Sequence, residues 1–348
     1  MPNSAAMSPR RTREIRTVRL LALPESGASA LYVLYDVFAS VGVIWPKMTG
    51  EDTGVAPFDV KIVGLSNDAF VCASDLPITP HASIAEVEHA DIVIVTDLLL
   101  SMDEDPRGKW PAAAEWLRAM YAKGALIGSI CTGAVVLAET GLLDGEPATS
   151  HWSVADLFRR YYPRVQLAAD RILVPAGRDH RIVTGGGPSS WEDLSLYLIA
   201  RFRSEAEAVR TAKIFLFGDR SEGQLPYMAM SKRRHHDDKV IADSQAWIAQ
   251  NYEASNPVTR MVQRSGLPAR TFKRRFRAAT GYTPVDYVQA LRIEEAKQLL
   301  EATAQPTEEI GRQIGYEDPA FFRRLFKRRT GVTPGRYRQR YQGVARAH

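Results

Sequence analysis

The sequence predicts two domains of different class: an α/β doubly wound domain on a mostly parallel sheet, then an all-α domain. Three observations carry this. Between Arg16 and Ala200, apolar strand-like runs alternate with longer stretches of helical spacing, the pattern of parallel crossover units. After residue 240 the pattern is helical throughout, and a seventeen-residue motif occurs twice. Charge divides at the same point, with 19 Lys and Arg against 10 Asp and Glu after residue 240, and 26 against 30 before it. At 348 residues the chain is long enough for two cores.

Taken in order, residues 1–16 form a basic tail expected to be flexible. It runs into strand-like sequence rather than an apolar signal region, so a cytoplasmic location is expected. Strands are predicted at Thr17–Leu23, Phe58–Val63, Ala90–Val95, Ala125–Ile130, Arg171–Pro175 and Ile182–Thr184. Between and after them, helical spacing covers Ala30–Val41, Pro111–Ala122, Ala134–Thr140, Ser153–Tyr161 and Ser190–Phe202, and the first domain is set at 17–212. Residues 213–240, with GDRSEGQLP and SKRRHHDDK, read as a linker in which His235 and His236 are solvated and hold no metal. The longest apolar run, Ala90–Leu100, contains aspartates and is too short to span a membrane. Cys72 and Cys131 are the only cysteines, which excludes a disulfide framework or zinc cluster.

The second domain is set at 241–340, with 341–348 as a tail. TFKRRFRAATGYTPVDY (271–287) aligns with FFRRLFKRRTGVTPGRY (321–337) at an offset of fifty, with eight identical positions. Each copy has helix-turn-helix grammar. Pro257–Arg264 leads through Ser265-Gly266-Leu267 to a helix opened by Pro268, and Thr307–Gln313 leads through Gly315 to a helix capped by Asp318 with Pro319 following. Phe272 and Phe276, and Phe322 and Phe326, form inward stripes. On the outward faces stand Arg270, Lys273 and Arg274 in one copy and Arg323, Arg324 and Arg328 in the other. Arginine can grip guanine bidentately, and the rest neutralise phosphates, so the basic domain points to double-stranded DNA. Thr283-Pro284 and Thr333-Pro334 each cap and open a following helix, and Val285–Glu301 is expected to be a rigid helix between the units.

These motifs, in this order over about 100 residues, resemble the DNA-binding domain of AraC/XylS-type transcription regulators. The resemblance implies seven helices with two helix-turn-helix units, and base contacts from Arg270, Lys273, Arg274, Pro319, Ala320, Arg323 and Arg324. Pro319 and Ala320 cannot hydrogen-bond a base through their side chains, which shifts the second half-site toward apolar or backbone contact.

In the first domain, GSICTGA (128–134) places Cys131 on a strand-to-helix elbow closed by small residues, and His151 follows twenty residues later. A helix start beside a thiol is expected to lower its pKa. The elbow suits a Cys-His hydrolase, and it also suits any ligand cradle at the crevice beyond the strand ends. Residues 17–202 resemble the class I glutamine amidotransferase-like superfamily in its PfpI-like branch. This chain departs from that branch in three places: Thr132 stands where PfpI-like proteases have His, Ala30 where an acid normally approaches the thiol, and Thr96-Asp97-Leu98 where a Gly-Gly turn offers amides.

The combination with the AraC-type domain resembles GlxA-type regulators. That resemblance implies a non-catalytic first domain that dimerises and senses a small-molecule effector of amino-acid, amine or quaternary ammonium type, with Cys131 and His151 a vestigial elbow. Promoter DNA, and RNA polymerase for an activator, are the implied partners; no cofactor, metal or membrane is implied. The implied pocket is bordered by Cys131, Thr132, His151, Trp152 and the turn holding Gly187, Pro188 and Ser189. Trp152 offers either a π face to an ammonium group or ordinary core packing, and the glycines either a cradle or a plain turn. A cysteine hydrolase or amidase, or a redox-sensing thiol, is the alternative reading.

Overall fold

A computed structural model of the protein describes residues 15–51, 56–230 and 236–345. Most of the basic tail, His235 of the linker and residues 346–348 of the C-terminal tail lie outside the described residues. The chain divides into two compact units, Met1–Gln224 and Leu225–His348. The division falls inside the segment expected to be linker.

The first unit runs β1 (Arg16–Leu21), α1 (Ala28–Ser40), α2 (Ile44–Thr49), β2 (Phe58–Gly64), β3 (Phe70–Val71), β4 (Pro77–Ile78), β5 (Ala82–Ser83), β6 (Ile92–Val95) and α3 (Pro111–Ala122). It continues with β7 (Leu126–Ser129), α4 (Ala134–Glu139), β8 (Pro147–Ala148), α5 (Ala155–Tyr161), β9 (Gln166–Leu167), β10 (Leu173–Ala176), β11 (Ile182–Gly185), α6 (Trp191–Phe202) and α7 (Glu205–Phe215). Seven strands form one sheet in the order β10-β11-β7-β6-β1-β2-β5. It is parallel except for the edge pair β10 and β11.

Helices cover both faces. Leu31, Leu34 and Phe38 of α1 and Leu194 and Leu198 of α6 close one core, while Leu117 and Met120 of α3, Leu137 of α4 and Phe158 of α5 close the other. A central strand such as β6, IVIV, is buried throughout, which is why it reads as an unbroken apolar run. Strand crossing directions bring the carboxyl ends of β1, β6, β7 and β11 to one edge, where the loops carrying Asp97, Cys131 and Gly187 emerge.

The expected boundary at 212 is corrected by two features. Helix α7 continues to Phe215, and residues 218–224 bind the first unit: Arg220 pairs with Glu192, and the Gln224 amide donates to the Asp170 carbonyl at 2.8 Å. What looked like solvated linker is therefore half structural.

The second unit holds seven α-helices among its described residues: α8 (Lys239–Ala249), α9 (Pro257–Ser265), α10 (Ala269–Thr280), α11 (Pro284–Ala302), α12 (Thr307–Gln313), α13 (Pro319–Thr330) and α14 (Pro334–Ala345). Helix α14 runs five residues past the expected end at 340. The turn chemistry follows the sequence closely. Gly266, Gly281 and Gly331 end their helices in the left-handed region, and Thr283 and Asp318 cap α11 and α13 through their side-chain oxygens. Pro268 is the residue before α10 rather than its first position.

Two separate cores result. Phe272, Phe276, Met261, Ile241 and Ile248 pack with Tyr287 and Val288 of α11. Phe322, Phe326, Ile310 and Ile314 pack with Ile293, Ala296 and Leu300 of the same helix. Helix α11 also presents Arg292, only 7% exposed, whose guanidinium donates to the carbonyls of Tyr252 (2.6 Å), Gly315 (2.9 Å) and Ala254 (3.0 Å) and lies over the Tyr316 ring.

Candidate functional site

At the end of β7 the backbone turns sharply. Cys131 adopts φ +54, a left-handed conformation uncommon for a residue with a Cβ, and so carries local strain. Gly133 is dictated by close approach: a Cβ there would stand 2.5 Å from the Thr96 carbonyl oxygen and 2.6 Å from that of Val95. The elbow is thus pressed onto the loop after β6. Thr132 fastens it, its hydroxyl accepting from the Leu98 amide (2.7 Å) and donating to the Leu98 carbonyl (2.6 Å). Thr132 is therefore engaged in holding the loop.

The thiol does not behave as the elbow suggested. Burial pushes Cys131 up to about 12, with the nearby Asp97 carboxylate adding to the rise. The following helix, α4, has only six residues and does not offset this. The expectation of a lowered thiol pKa is corrected: burial outweighs the local turn. Cys131 is accordingly expected to resist iodoacetamide at pH 8, with the midpoint of its pH–rate profile near 12 rather than the ordinary 8.5 or so, and Asp97→Asn should move that midpoint down. A wild-type midpoint near the ordinary value would refute this assignment.

Asp97 is the acidic neighbour that Ala30 failed to supply. Its carboxyl is raised by burial and lies against Gly27, where any Cβ would run into it. Glu25 instead accepts from the Trp110 indole at 3.2 Å, and Asp36 is exposed on α1. Asp97 Oδ1, Ser129 Oγ and Ser190 Oγ are buried without a hydrogen-bond partner among the described residues. Ser129 lies two residues before Cys131, and Ser190 packs against Gly185 beside the Ser129 carbonyl. Three polar atoms without partners thus surround one end of the sheet.

His151 reaches the same edge, because Ser150 Oγ donates to the Cys131 carbonyl at 2.8 Å. Its ring faces its own loop. Nδ1 lies 2.7 Å from the Ser153 hydroxyl and accepts from the Ser153 amide at 3.3 Å, which leaves the proton on Nε2, and burial lowers its pKa. No hydrogen bond joins His151 to Cys131 among the described residues. The His151 and Trp152 rings lie 5.2 Å apart, and His151 Cδ2 is 4.0 Å from where a Gly187 Cβ would be. The structure brings His151, Trp152 and Gly187 together. Pro188 and Ser189 are exposed on the turn entering α6, and Trp191 packs edge-on against Phe217.

Sequence reasoning missed Gln224, which is 2% exposed beneath this cluster. Its amide nitrogen donates to the carbonyls of Ser150 (2.8 Å), Ala169 (2.9 Å) and Arg171 (2.9 Å), and its oxygen accepts from the Trp152 amide (3.2 Å). A Cβ on Gly186 would collide with it. Its local setting, SEGQLP, gave no apolar period to mark burial.

In the second unit, Arg270, Lys273 and Arg274 on α10 and Arg324 on α13 are exposed and pair with no other described residue. Arg323 differs, being held by Glu308 at 2.7 Å. Pro319 and Ala320 are half-buried. Lys273, Arg274 and Arg277 line a cleft of about 660 Å³ that ends at Thr283 and Pro284, the start of α11.

Known proteins agree with both units. The DJ-1/PfpI family matches residues 28–201, and a helix-turn-helix domain family matches residues 261–340. The HTH-type transcriptional regulator CdhR of Pseudomonas aeruginosa is 29% identical over 305 residues, covering 87% of this chain and 88% of that protein. The HTH-type transcriptional regulator GlxA of Rhizobium meliloti is 28% identical over 229 residues, covering 64% and 68%. Among solved structures, an AraC family transcriptional regulator from Pseudomonas putida aligns with a TM-score of 0.47 at 17% identity, over 57% of this chain and 99% of that one. With a DJ-1/PfpI match over half its length, a helix-turn-helix domain behind it and relatives named as HTH-type transcriptional regulators, the chain belongs to the DJ-1/PfpI family and is a transcriptional regulator.

Proposed function

We propose that the N-terminal unit binds a small metabolite of amino-acid, amine or quaternary ammonium type without turning it over, and that its occupancy controls promoter binding by the C-terminal unit. The observation that carries this is the set of buried, unpartnered atoms around the elbow, Asp97 Oδ1, Ser129 Oγ and Ser190 Oγ. A buried polar atom without a partner costs free energy that a bound polar molecule would recover. Cationic character in that molecule follows from Asp97, whose carboxyl is raised by burial and whose ionised form a neighbouring ammonium group would favour. The paired His151 and Trp152 rings, brought to the same end of the sheet by the Ser150–Cys131 hydrogen bond, offer aromatic surface.

Turnover is disfavoured by the elbow's own chemistry. A thiol at about 12 is almost wholly protonated at neutral pH, and His151 Nδ1 is taken up by Ser153. The same protonation weighs against redox sensing, which needs thiolate. On the DNA side, Arg270, Lys273, Arg274 and Arg324 are assigned to base and phosphate contacts, and Arg323 is a partial contributor because of Glu308.

A thermal-shift series on the full-length protein against amino acids, betaines and polyamines tests the effector assignment. A ligand at 100 times its Kd should add about 2.7 kcal/mol to the unit that binds it, a rise of several degrees. Asp97→Asn should remove the rise for a cationic ligand. A panel with no shift, or a shift insensitive to Asp97, would refute it.

A further inference from the structure

We propose that Phe321 reads the C5-methyl group of a thymine in the half-site that α13 contacts. The inference rests on the assignment of α10 and α13 to DNA, and it names a base-reading residue that hydrogen-bonding logic passes over.

Among the described residues of α10 and α13, Phe321 is the one large apolar side chain left exposed, at 39%. Its neighbours along the outward face are cationic: Arg324 stands one turn on and Arg328 one turn further, both exposed. Phe321 lies in the first turn of α13, two residues after Pro319. The N-terminal residues of a recognition helix are the ones that meet base edges in the major groove. Pro319 and Ala320 bring no hydrogen-bonding side chain, so with Phe321 that first turn presents an apolar surface. The apolar group that base pairs display in the major groove is the thymine methyl, and a phenyl ring is among the side chains that contact it.

The ring is also held in advance. It leans on Tyr316, with centroids 5.6 Å apart, and Tyr316 is itself fixed by the Phe322 ring, stacked at 6.1 Å, and by the Arg292 guanidinium 4.8 Å from its centroid. A braced aromatic side chain has little freedom left to lose when it meets a base. The repeat does not need this pair in order to fold. In the first copy the same positions hold Thr271 and Gly266, and Phe272 and Phe276 still pack into their core. An exposed phenyl ring in the second copy alone, on the face that carries the arginines, fits base reading rather than packing.

Deoxyuridine supplies the probe, because it pairs as thymine does and lacks only the methyl group. A duplex is selected by the full-length protein from a random-sequence pool, each thymine is replaced singly by deoxyuridine, and binding is followed by fluorescence anisotropy. For the wild type, one such replacement should weaken binding about fourfold, the worth of one buried methyl group. Phe321→Ala should bind the thymine duplex no better than the wild type binds the deoxyuridine duplex, and should not distinguish the two. Phe321→Gln keeps bulk against Tyr316, should lose the discrimination equally, and decides the matter if the alanine variant does not fold. A selected duplex without thymine, a wild type insensitive to every replacement, or sensitivity that survives both substitutions at every thymine would overturn the assignment. The Arg274→Ala, Arg324→Ala double variant keeps the parent reading separate. Wild-type binding in it sinks the DNA face itself, whereas lost binding alongside a methyl-insensitive wild type sinks Phe321 alone.

Discussion

Replacing Arg274 and Arg324 together with alanine is expected to abolish sequence-specific retention of a selected duplex at physiological salt. Arg274 stands exposed on α10 and Arg324 on α13, and neither pairs with another described residue, so each guanidinium is available without first breaking a bond. A bidentate arginine–guanine contact is worth about 1–3 kcal/mol, and contacts to separate half-sites add approximately. The double variant should therefore lose roughly 2–6 kcal/mol, and the residual binding should resemble that to unrelated sequence. Arg323→Ala should cost less, because Glu308 already occupies that guanidinium at 2.7 Å. Conversely, Glu308→Gln should tighten binding by releasing Arg323 and removing a negative charge beside the proposed DNA face. Fluorescence anisotropy over a salt series separates the contributions, since each lost phosphate contact flattens the salt slope by about one. Wild-type affinity in the double variant would sink the assignment of this face.

The second large effect concerns Arg292. Substitution by leucine keeps apolar bulk and leaves the carbonyls of Tyr252, Ala254 and Gly315 without their buried cationic donor. Hydrogen bonds to a charged group contribute about 1.5–3 kcal/mol each, and stranded acceptors cost about 1–3 kcal/mol. Several kcal/mol of stability in the second unit should disappear, enough to unfold a domain of ordinary marginal stability. Arg292→Lys should recover little, since an ammonium group cannot spread over three carbonyls in the plane of a guanidinium. Denaturant titration followed by far-ultraviolet circular dichroism checks this. A midpoint unchanged in Arg292→Leu would show that water replaces the arginine without loss.

Arg292, Gln224 and Asp97 also mark what the sequence could not disclose. Strands such as IVIV and the paired phenylalanines announce themselves because burial of a whole strand or helix face imprints a local period. Helix ends were equally visible, because Gly266, Gly281, Gly331, Thr283 and Asp318 act within a few residues of themselves. A buried polar side chain has no such imprint. Gln224 finds its partners 53 to 74 residues away, and Arg292 reaches back 40 to Tyr252. In their own neighbourhoods both look like surface residues. The thiol failed for a related reason. A strand-to-helix turn is a local feature, whereas the desolvation that raises Cys131 is set by everything packed over it. The departures at Thr132, Ala30 and Thr96-Asp97-Leu98 were legible, but the burial of the Asp97 carboxyl beside the elbow was not.

Helix α11 places a limit on how this regulator can be cut and recombined. Because one nineteen-residue rod supplies Tyr287 and Val288 to one core and Ile293, Ala296 and Leu300 to the other, the duplicated halves are not interchangeable cassettes. A chain ending after residue 302 would leave the second stripe bare to solvent, an adhesive surface on an otherwise folded remnant. Engineering a new half-site preference must therefore proceed by changing outward side chains on α10 or α13, never by transplanting one copy of the repeat.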